Sequence, residues 1–246
     1  MTHVIILAGG KGTRMKSDAP KVLTPVGGVP ILLRLLKTVQ TICPHPTIVV
    51  GYGAELVRAA VGDGAECVLQ EEQLGTGHAV LSARQALSGR ADIDNIVVLN
   101  GDHPLLGAET IRGLIRAHEE AKPAITLATI KVSGFFADFA VFERFGRIIR
   151  DGLGGIVGIR EWKDATPEER ALSEVNPNYY CFTASWLWGA LDQLTKTNQA
   201  GEYYLTDLVQ IAIKGGDKVQ TVPVLDPIEG MGVNTPEELA IVERYI

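Results

Sequence analysis

The stretch Val4–Lys21, V-I-I-L-A-G-G-K-G-T-R-M-K-S-D-A-P-K, decides how the rest of the chain is read. Val4 to Ala8 is an apolar run of the length of a buried strand, and it stops at Gly9, Gly10, Lys11, Gly12, Thr13 and Arg14. Glycines at that point punctuate a tight turn. Three of them in four positions leave backbone N–H groups without side-chain cover, so an anionic or planar ligand can approach closely. Lys11, Arg14 and Lys21 add positive charge within the same loop. Strand, bare backbone and cations together describe a phosphate site. The plainer alternative is a glycine-rich turn with lysines on the surface beside it.

Two common phosphate loops do not fit. The Walker register counted from Gly9 lands on Arg14 and Met15 instead of Lys and Ser or Thr. The dinucleotide fingerprint G-x-G-x-x-G begins at Gly10 and Gly12 but meets Met15 at its third glycine. What remains, L-A-G-G-x-G-T-R-M followed by Pro20-Lys21, resembles the signature of sugar-nucleotide pyrophosphorylases, which transfer a nucleotidyl group from a nucleoside triphosphate to a sugar-1-phosphate.

The chain has 246 residues, enough for one large α/β domain or two small ones with a sizeable core. A formal net charge of −6 gives no electrostatic footprint for nucleic acid or an anionic membrane surface, so neither is expected as a partner. Phosphate binding must then be local, which gives weight to the cations of the first loop. Cys43, Cys67 and Cys181 are odd in number and widely spaced, and they suggest buried free thiols in a reducing compartment, not a disulfide framework or zinc site. No secretory leader opens the chain and no long apolar run crosses it, so a cytoplasmic protein is expected.

Hydrophobic periodicity predicts a helix over 29–41, a strand over 47–50, a helix over 54–61 and a short strand over 67–70. E-E-Q-L-G-T-G-H-A-V then leads into a helix through Ala86. A strand over 95–99 closes in Asn100-Gly101-Asp102, followed by a helix over 110–121 and a strand over 124–132. Alternation at this spacing argues for βαβ units, a mainly parallel sheet and a Rossmann-like three-layer α/β sandwich. Ligands in such sheets sit beyond the carboxyl ends of the strands, where Gly9, Gly75 and Asp102 can converge. The second half reads as short strands at 139–149, 158–163 and 179–182, helices at 185–194 and 204–214, a strand at 219–224 and a terminal helix at 236–245. One domain is expected, with a nucleotide-binding half to about residue 132 and a smaller acceptor lobe after it. Trp186 and Trp188 are expected to pack that lobe, and Glu168, Glu169 and Arg170 to form a solvated helix face.

Asp102, at the end of a strand and before Pro104-Leu105, has the chemistry of a Mg²⁺ ligand and equally that of a helix cap. Asn234 in G-M-G-V-N-T-P-E-E carries the same two readings. The five histidines show no metal-binding spacing, and His78 is placed to support a site from behind.

Eight segments in order resemble the uridyltransferase domain of the bacterial N-acetylglucosamine-1-phosphate uridyltransferases, a branch of the pyrophosphorylase family that carries a second, acetyltransferase domain. They are L-A-G-G-K-G-T-R-M, S-D-A-P-K-V-L, E-Q-L-G-T-G-H-A, G-D-H-P-L, F-G-R-I-I-R, E-W-K-D-A-T, G-E-Y-Y-L-T-D and G-V-N, and they run from residue 4 to residue 234. The resemblance implies a nucleotide-diphospho-sugar transferase fold. It implies that Leu7, Ala8, Gly9 and Gly10 hold the nucleotide through backbone groups, with Gln70, Gly75 and Thr76 at the pyrimidine edge. Arg14 and Lys21 would neutralise the triphosphate and the departing pyrophosphate. Asp102 and Asn234 would hold Mg²⁺, and Asn100, Gly146, Glu161 and Asn176 would position the sugar. The implied partners are UTP and N-acetylglucosamine-1-phosphate. Gly201-Glu202-Tyr203-Tyr204 also matches, with a structural or a sugar-facing role open to it.

The chain departs from the family pattern in two places. Asn100 stands where the family has Tyr before Gly-Asp, and Asn176-Pro177-Asn178 stands for Asn-Thr-Gly. Both are expected in the acceptor lobe near the sugar's N-acetyl group, where they replace an aromatic wall by an amide and remove a backbone donor. Another hexose phosphate is therefore an alternative acceptor, thymidylyl or cytidylyl transfer an alternative reaction, and a non-catalytic nucleotide-sugar sensor an alternative class. The acetyltransferase domain is absent from this sequence, so a stand-alone transferase is expected.

Overall fold

The computed structural model describes residues 1–15 and 19–246. Lys16, and Ser17 and Asp18 of the S-D-A-P-K segment, lie outside the described residues. The chain opens with β1 (Thr2–Ala8), a two-residue hairpin of β2 (Pro25–Val26) and β3 (Val29–Pro30), α1 (Ile31–Gln40), β4 (Thr47–Val50), α2 (Ala54–Val61) and β5 (Glu66–Leu69). It continues with α3 (Thr76–Ser82), α4 (Arg84–Leu87), β6 (Asn95–Asn100), α5 (Ala108–Ala121) and β7 (Ile125–Lys131). The remainder contains β8 (Gly146–Arg150), β9 (Ile156–Arg160), α6 (Pro167–Arg170), β10 (Glu174–Asn176), β11 (Tyr180–Thr183), α7 (Ala184–Ala190), α8 (Asp207–Lys214), β12 (Val219–Pro223) and α9 (Pro236–Val242).

The main sheet runs β5-β4-β1-β6-β11-β7-β10-β8-β9, with β12 on β7. The pairings among β5, β4, β1 and β6 are parallel, as is β7 with β12. The others in this sheet are antiparallel, because β11 enters between β6 and β7 in the opposite sense and β8, β9 and β10 extend the sheet as a meander. The parallel character expected from the sequence thus holds for the first half. β10 and β11 both run antiparallel to β7, so the chain keeps its direction through Pro177, Asn178 and Tyr179, where Asn178 takes the left-handed region at φ 62°. β11 and β12 of the second half lie in the same sheet as the strands of the first half.

Strand alternation explains the three layers. On β1, Val4, Ile6 and Ala8 join a cluster with Leu32, Leu35, Val57 and Leu114 of α1, α2 and α5. Ile5 points the other way, into a cluster with Val80, Leu187 and Leu208 of α3, α7 and α8. A strand buried on both faces must be apolar throughout, which is why Val4 to Ala8 reads as a continuous run. Trp186 and Trp188 pack against this second cluster. Arg170 is not a plain solvated residue: its guanidinium lies 4.8 Å from the Trp162 ring centroid and its Nε donates to Trp162 O.

The stretch 139–149 reads as one strand in sequence but folds as a 3₁₀ turn over Ala137–Phe142 followed by β8. Phe139, Phe142 and Phe145 stack locally, and the fully buried Arg147 donates to the main-chain carbonyls of Phe142, Glu143, Phe145 and Arg170. That guanidinium gives the turn its missing donors, and burial pulls its pKa down to about 10. Among the described residues no helix is long and apolar enough to cross a membrane.

Two buried histidines make stability depend on pH. His3 bonds Thr47 Oγ1 at 2.9 Å and His118 bonds Thr126 Oγ1 at 2.9 Å. Burial pulls each ring down to about 4. The unfolded chain takes up these protons near pH 6.5, but the folded chain does not until about pH 4, so stability falls as pH drops through that window. The denaturation midpoint should decline between pH 7 and pH 4.5, and a His3→Asn/His118→Asn variant should decline less steeply. Parallel slopes would remove the two rings as the cause.

Candidate active site

The carboxyl ends of the parallel strands lie side by side. Leu7 pairs with Asn100, Ala8 with Val50, and Val50 with Leu69, the residue before Gln70. This register gathers the ends of β1, β4, β5 and β6 around one cavity of about 310 Å³. Leu7, Ala8, Gly9, Gly10, Gln70, Gly75 and Thr76, all singled out from the sequence, line it. Lys21, Asn100 and Asp102 line it too, as do Gln73, given no role from the sequence, and Glu202 of the G-E-Y-Y segment. Among the described residues, no backbone acceptor takes the N–H groups of Gly10, Lys11 and Gly12.

Two glycines are required by close approach. A Cβ on Gly75, whose φ is +112°, would stand 2.6 Å from Tyr203 O and 2.9 Å from Tyr203 N. Here the loop after β5 is clasped by the 202–205 segment: Tyr203 N–H donates to Leu74 O, Gly77 N–H to Tyr203 O, and Leu205 N–H to Thr76 Oγ1. The G-E-Y-Y segment thus has a structural task in its backbone and a site-facing one in Glu202 and Tyr204. On Gly12, at φ +63°, a Cβ would meet Lys21 Cβ at 2.4 Å, so the glycine loop rests directly on that lysine.

Gln70 is 4 % exposed, and its amide is oriented by the groups behind it. Nε2 donates to Gly75 O at 3.2 Å and lies 3.1 Å from His78 Nδ1. Both contacts are met by the NH₂ end, which leaves Oε1 as an acceptor toward Gly9 and the cavity. His78 therefore acts through Gln70, in the supporting position its sequence context suggested.

Lys21 stands at the centre. Its Nζ lies 2.5 Å from Asp102 Oδ2 and 2.6 Å from Asn234 Oδ1, joining residues 81 and 213 positions away. The helix-cap readings of Asp102 and Asn234 both fall. The cap position of α5 is Gly107, and α9 is capped by Thr235, whose Oγ1 accepts from Glu238 N. Asp102 Oδ1 is buried and accepts no hydrogen bond among the described residues. His103 Nε2 is 3.4 Å from it but offers no proton. Tyr179 Oη donates to Glu229 O and so accepts from His103 Nδ1–H, which leaves Nε2 as a lone pair on a ring that burial keeps neutral. Burial opposes ionisation of Asp102 as well, yet the Lys21 ammonium, its hydrogen bond and the other groups around the carboxylate together hold the carboxyl below its ordinary range.

Beyond this junction lie two further cavities. One of about 490 Å³ is lined by Arg14, Arg144, Glu161, Asn178, Glu202 and Tyr204, among others. The other, about 150 Å³, holds Gly146 and Asn234 and shares Arg14, Arg144, Glu161 and Asn178 with the first; Asn100 and Asp102 connect it to the nucleotide-side cavity. Asn100 accordingly belongs to the end of β6, between cavities, and not to the acceptor lobe. Burial raises the Glu161 carboxyl above its ordinary range; a hydrogen bond from Thr206 Oγ1 works against this, and Asp207, Asp164 and Glu202 add to it.

Asn176 is not brought to these cavities among the described residues. It is fully buried, its Nδ2 donates to Asn178 Oδ1 and Tyr180 Oη, and its Oδ1 accepts from Asn178 N–H. It holds Asn178, whose Oδ1 is thereby turned inward and whose NH₂ end is left for the cavity. Arg144 and Asn178 went unread because the first lies just outside a matching segment and the second at a departure from one, whereas Gln73 sits inside E-Q-L-G-T-G-H-A and was given no role there.

Lys21 and Asp102 are each 13 % exposed, so removing the ammonium strands a buried carboxylate. Lys21→Met should destabilise the fold by about 3–5 kcal/mol, and Asp102→Asn in the same chain should recover part of it. Urea unfolding of the two variants measures this, and additive losses would show that the pair is uncoupled.

Residues 4–207 match the family of MobA-like NTP transferase domains. The chain is similar to the bifunctional protein GlmU of Desulfitobacterium hafniense, 41 % identical over 243 residues, covering 97 % of this chain and 51 % of the relative. It is 44 % identical over 245 residues to the bifunctional protein GlmU of Geobacter metallireducens, covering 98 % and 49 %. The chain thus spans about half the length of these relatives. Its fold is also that of a Bacillus anthracis protein named as a candidate glucose-1-phosphate thymidylyltransferase, solved with sucrose, at TM-score 0.76 and 20 % identity, over 100 % of this chain and 95 % of that one. With a glycine-rich loop after its first strand and a family match over most of its length, the chain belongs to the MobA-like NTP transferase domain family.

Proposed function

We propose that the chain is a Mg²⁺-dependent uridylyltransferase that joins UTP to a hexose-1-phosphate, N-acetylglucosamine-1-phosphate first among them, releasing pyrophosphate. The observation that carries this reading is the position of the Lys21–Asp102–Asn234 junction, at the seam between the cavity under the glycine loop and the cavities of the second half. A phosphorus atom at that seam is reachable from both sides.

The free N–H groups of the loop and Lys21 face the triphosphate side. Gln70 Oε1 is an acceptor, which suits the ring N–H of uracil or thymine and not the bare N3 of cytosine. Glu161, Asn178 and Tyr204 offer a carboxylate, an NH₂ and a hydroxyl to sugar hydroxyl groups. An oxygen of the sugar's phosphate attacks the α-phosphorus in line; the new P–O bond forms as the bond to the β-phosphate oxygen breaks, and pyrophosphate leaves with that electron pair. The attacking oxygen is already ionised near neutral pH, so the step needs no general base. Positioning and charge neutralisation supply the rate.

The residues present fit a divalent cation. Asp102 Oδ1 is a buried carboxylate oxygen without a donor, and Asn234 Oδ1 is a second hard ligand beside it. Two protein oxygens suit Mg²⁺, which completes its shell with water and phosphate oxygens. When bound, the cation would neutralise phosphate charge at the seam. Lys21 and the cation would compete for Asn234 Oδ1 and for the charge of Asp102.

Pyrophosphate release across a grid of nucleoside triphosphates and hexose-1-phosphates tests the reading. Turnover should peak with UTP and N-acetylglucosamine-1-phosphate and fall by about 10²-fold or more in Asp102→Asn. Mn²⁺ binding without nucleotide, followed by electron paramagnetic resonance, should be stronger in Lys21→Met and lost in Asp102→Asn. A peak with CTP would overturn the assignment of Gln70, and silence of folded protein across the grid would favour a nucleotide-sugar sensor.

A further inference from the structure

Arg144 is an exposed arginine with no ion-pair or hydrogen-bond partner among the described residues, although Glu161 and Glu238 line the same small cavity. Arg14 is the other cation on both acceptor-side cavities. Both arginines therefore line the larger cavity, where Glu161, Asn178 and Tyr204 stand, and the smaller one, where Asp102 and Asn234 stand.

The turn that carries Arg144 is held from beneath. Arg147 fixes the carbonyls of Phe142, Glu143 and Phe145, and its guanidinium is sandwiched between Phe135 and Trp162, at 4.3 and 5.0 Å from the ring centroids. Gly146 follows, with no side chain to fill the gap beside Glu161. A cation kept out of ion pairs on a braced turn is prepared for an anion that arrives from solution.

We infer that Arg144 is a specificity-determining residue that takes the phosphate group of the acceptor sugar, opposite Arg14. The inference rests on the transferase reading above. In that reading the sugar lies in the larger cavity and its phosphate must reach the α-phosphorus at the Asp102–Asn234 seam. The acceptor phosphate then lies in cavities that both arginines line, and a guanidinium offers it paired N–H donors. Pyrophosphate, or a carboxylate on the sugar ring, is a different use of the same cation, and the test separates them.

Arg144→Gln and Arg144→Lys are compared with the parent chain in steady-state kinetics and in equilibrium dialysis with radiolabelled N-acetylglucosamine-1-phosphate. Arg144→Gln should raise KM for the sugar phosphate by about tenfold or more, with KM for UTP unchanged within about twofold, and Lys should restore part of the loss. A rise in KM for UTP, or for pyrophosphate in the reverse direction, with the sugar phosphate unaffected would overturn the inference, as would unchanged constants throughout. If the parent turns over no pair, the transferase reading fails on its own and dialysis decides this one. Binding by the parent that is lost in Arg144→Gln supports it, and equal binding, or none, overturns it.

Discussion

A buried ammonium between a carboxylate and an amide holds this molecule's working parts together. Lys21 belongs to the glycine loop, Asp102 to the end of the central strand β6, and Asn234 to the segment that enters the last helix. Val233 N–H donates to Asp102 O, so the latter two segments are also tied through their backbones. The loop in turn lies on Lys21, because Gly12 carries no Cβ to hold them apart. Two charges removed from water cost more than their attraction returns unless every remaining group is satisfied. Among the described residues, Asp102 Oδ1 is the buried oxygen of this junction that the pair leaves without a donor.

Everything else about the site follows from where the sheet puts its strand ends. Parallel neighbours in matched register bring Leu7, Ala8, Gln70 and Asn100 to one rim. Antiparallel strands β10, β8 and β9 then extend the same sheet, and Asn178, Gly146 and Glu161, at or just beyond their ends, line the opposing wall. One continuous sheet thus carries the nucleotide-side cavity and the two acceptor-side cavities, with the Lys21 junction between them.

The central strands were legible because a strand buried on both faces must be apolar along its length, and residues 4–8 and 96–99 are. The first cavity was legible because each of its walls is a short segment with its own pattern. The acceptor side was harder. The 3₁₀ turn over Ala137–Phe142 is made by three aromatic residues and by donors from Arg147, and neither leaves a period in the sequence. Asn176 looked like a ligand by its type, but only the structure shows its polar atoms spent on Asn178 and Tyr180. Arg144 was invisible for the opposite reason: an arginine in a turn is ordinary until the cavities on both sides of it are seen.

The central claim is that the nucleotidyl group passes directly across the seam, from one cavity to the other, with no covalent attachment to the protein. Stereochemistry at the transferred phosphorus tests it most directly. With a single diastereomer of the α-thiotriphosphate of the nucleotide turned over, the account predicts inversion at phosphorus in the sugar nucleotide. Retention would mean two displacements through a nucleotidyl-protein intermediate, and would contradict it.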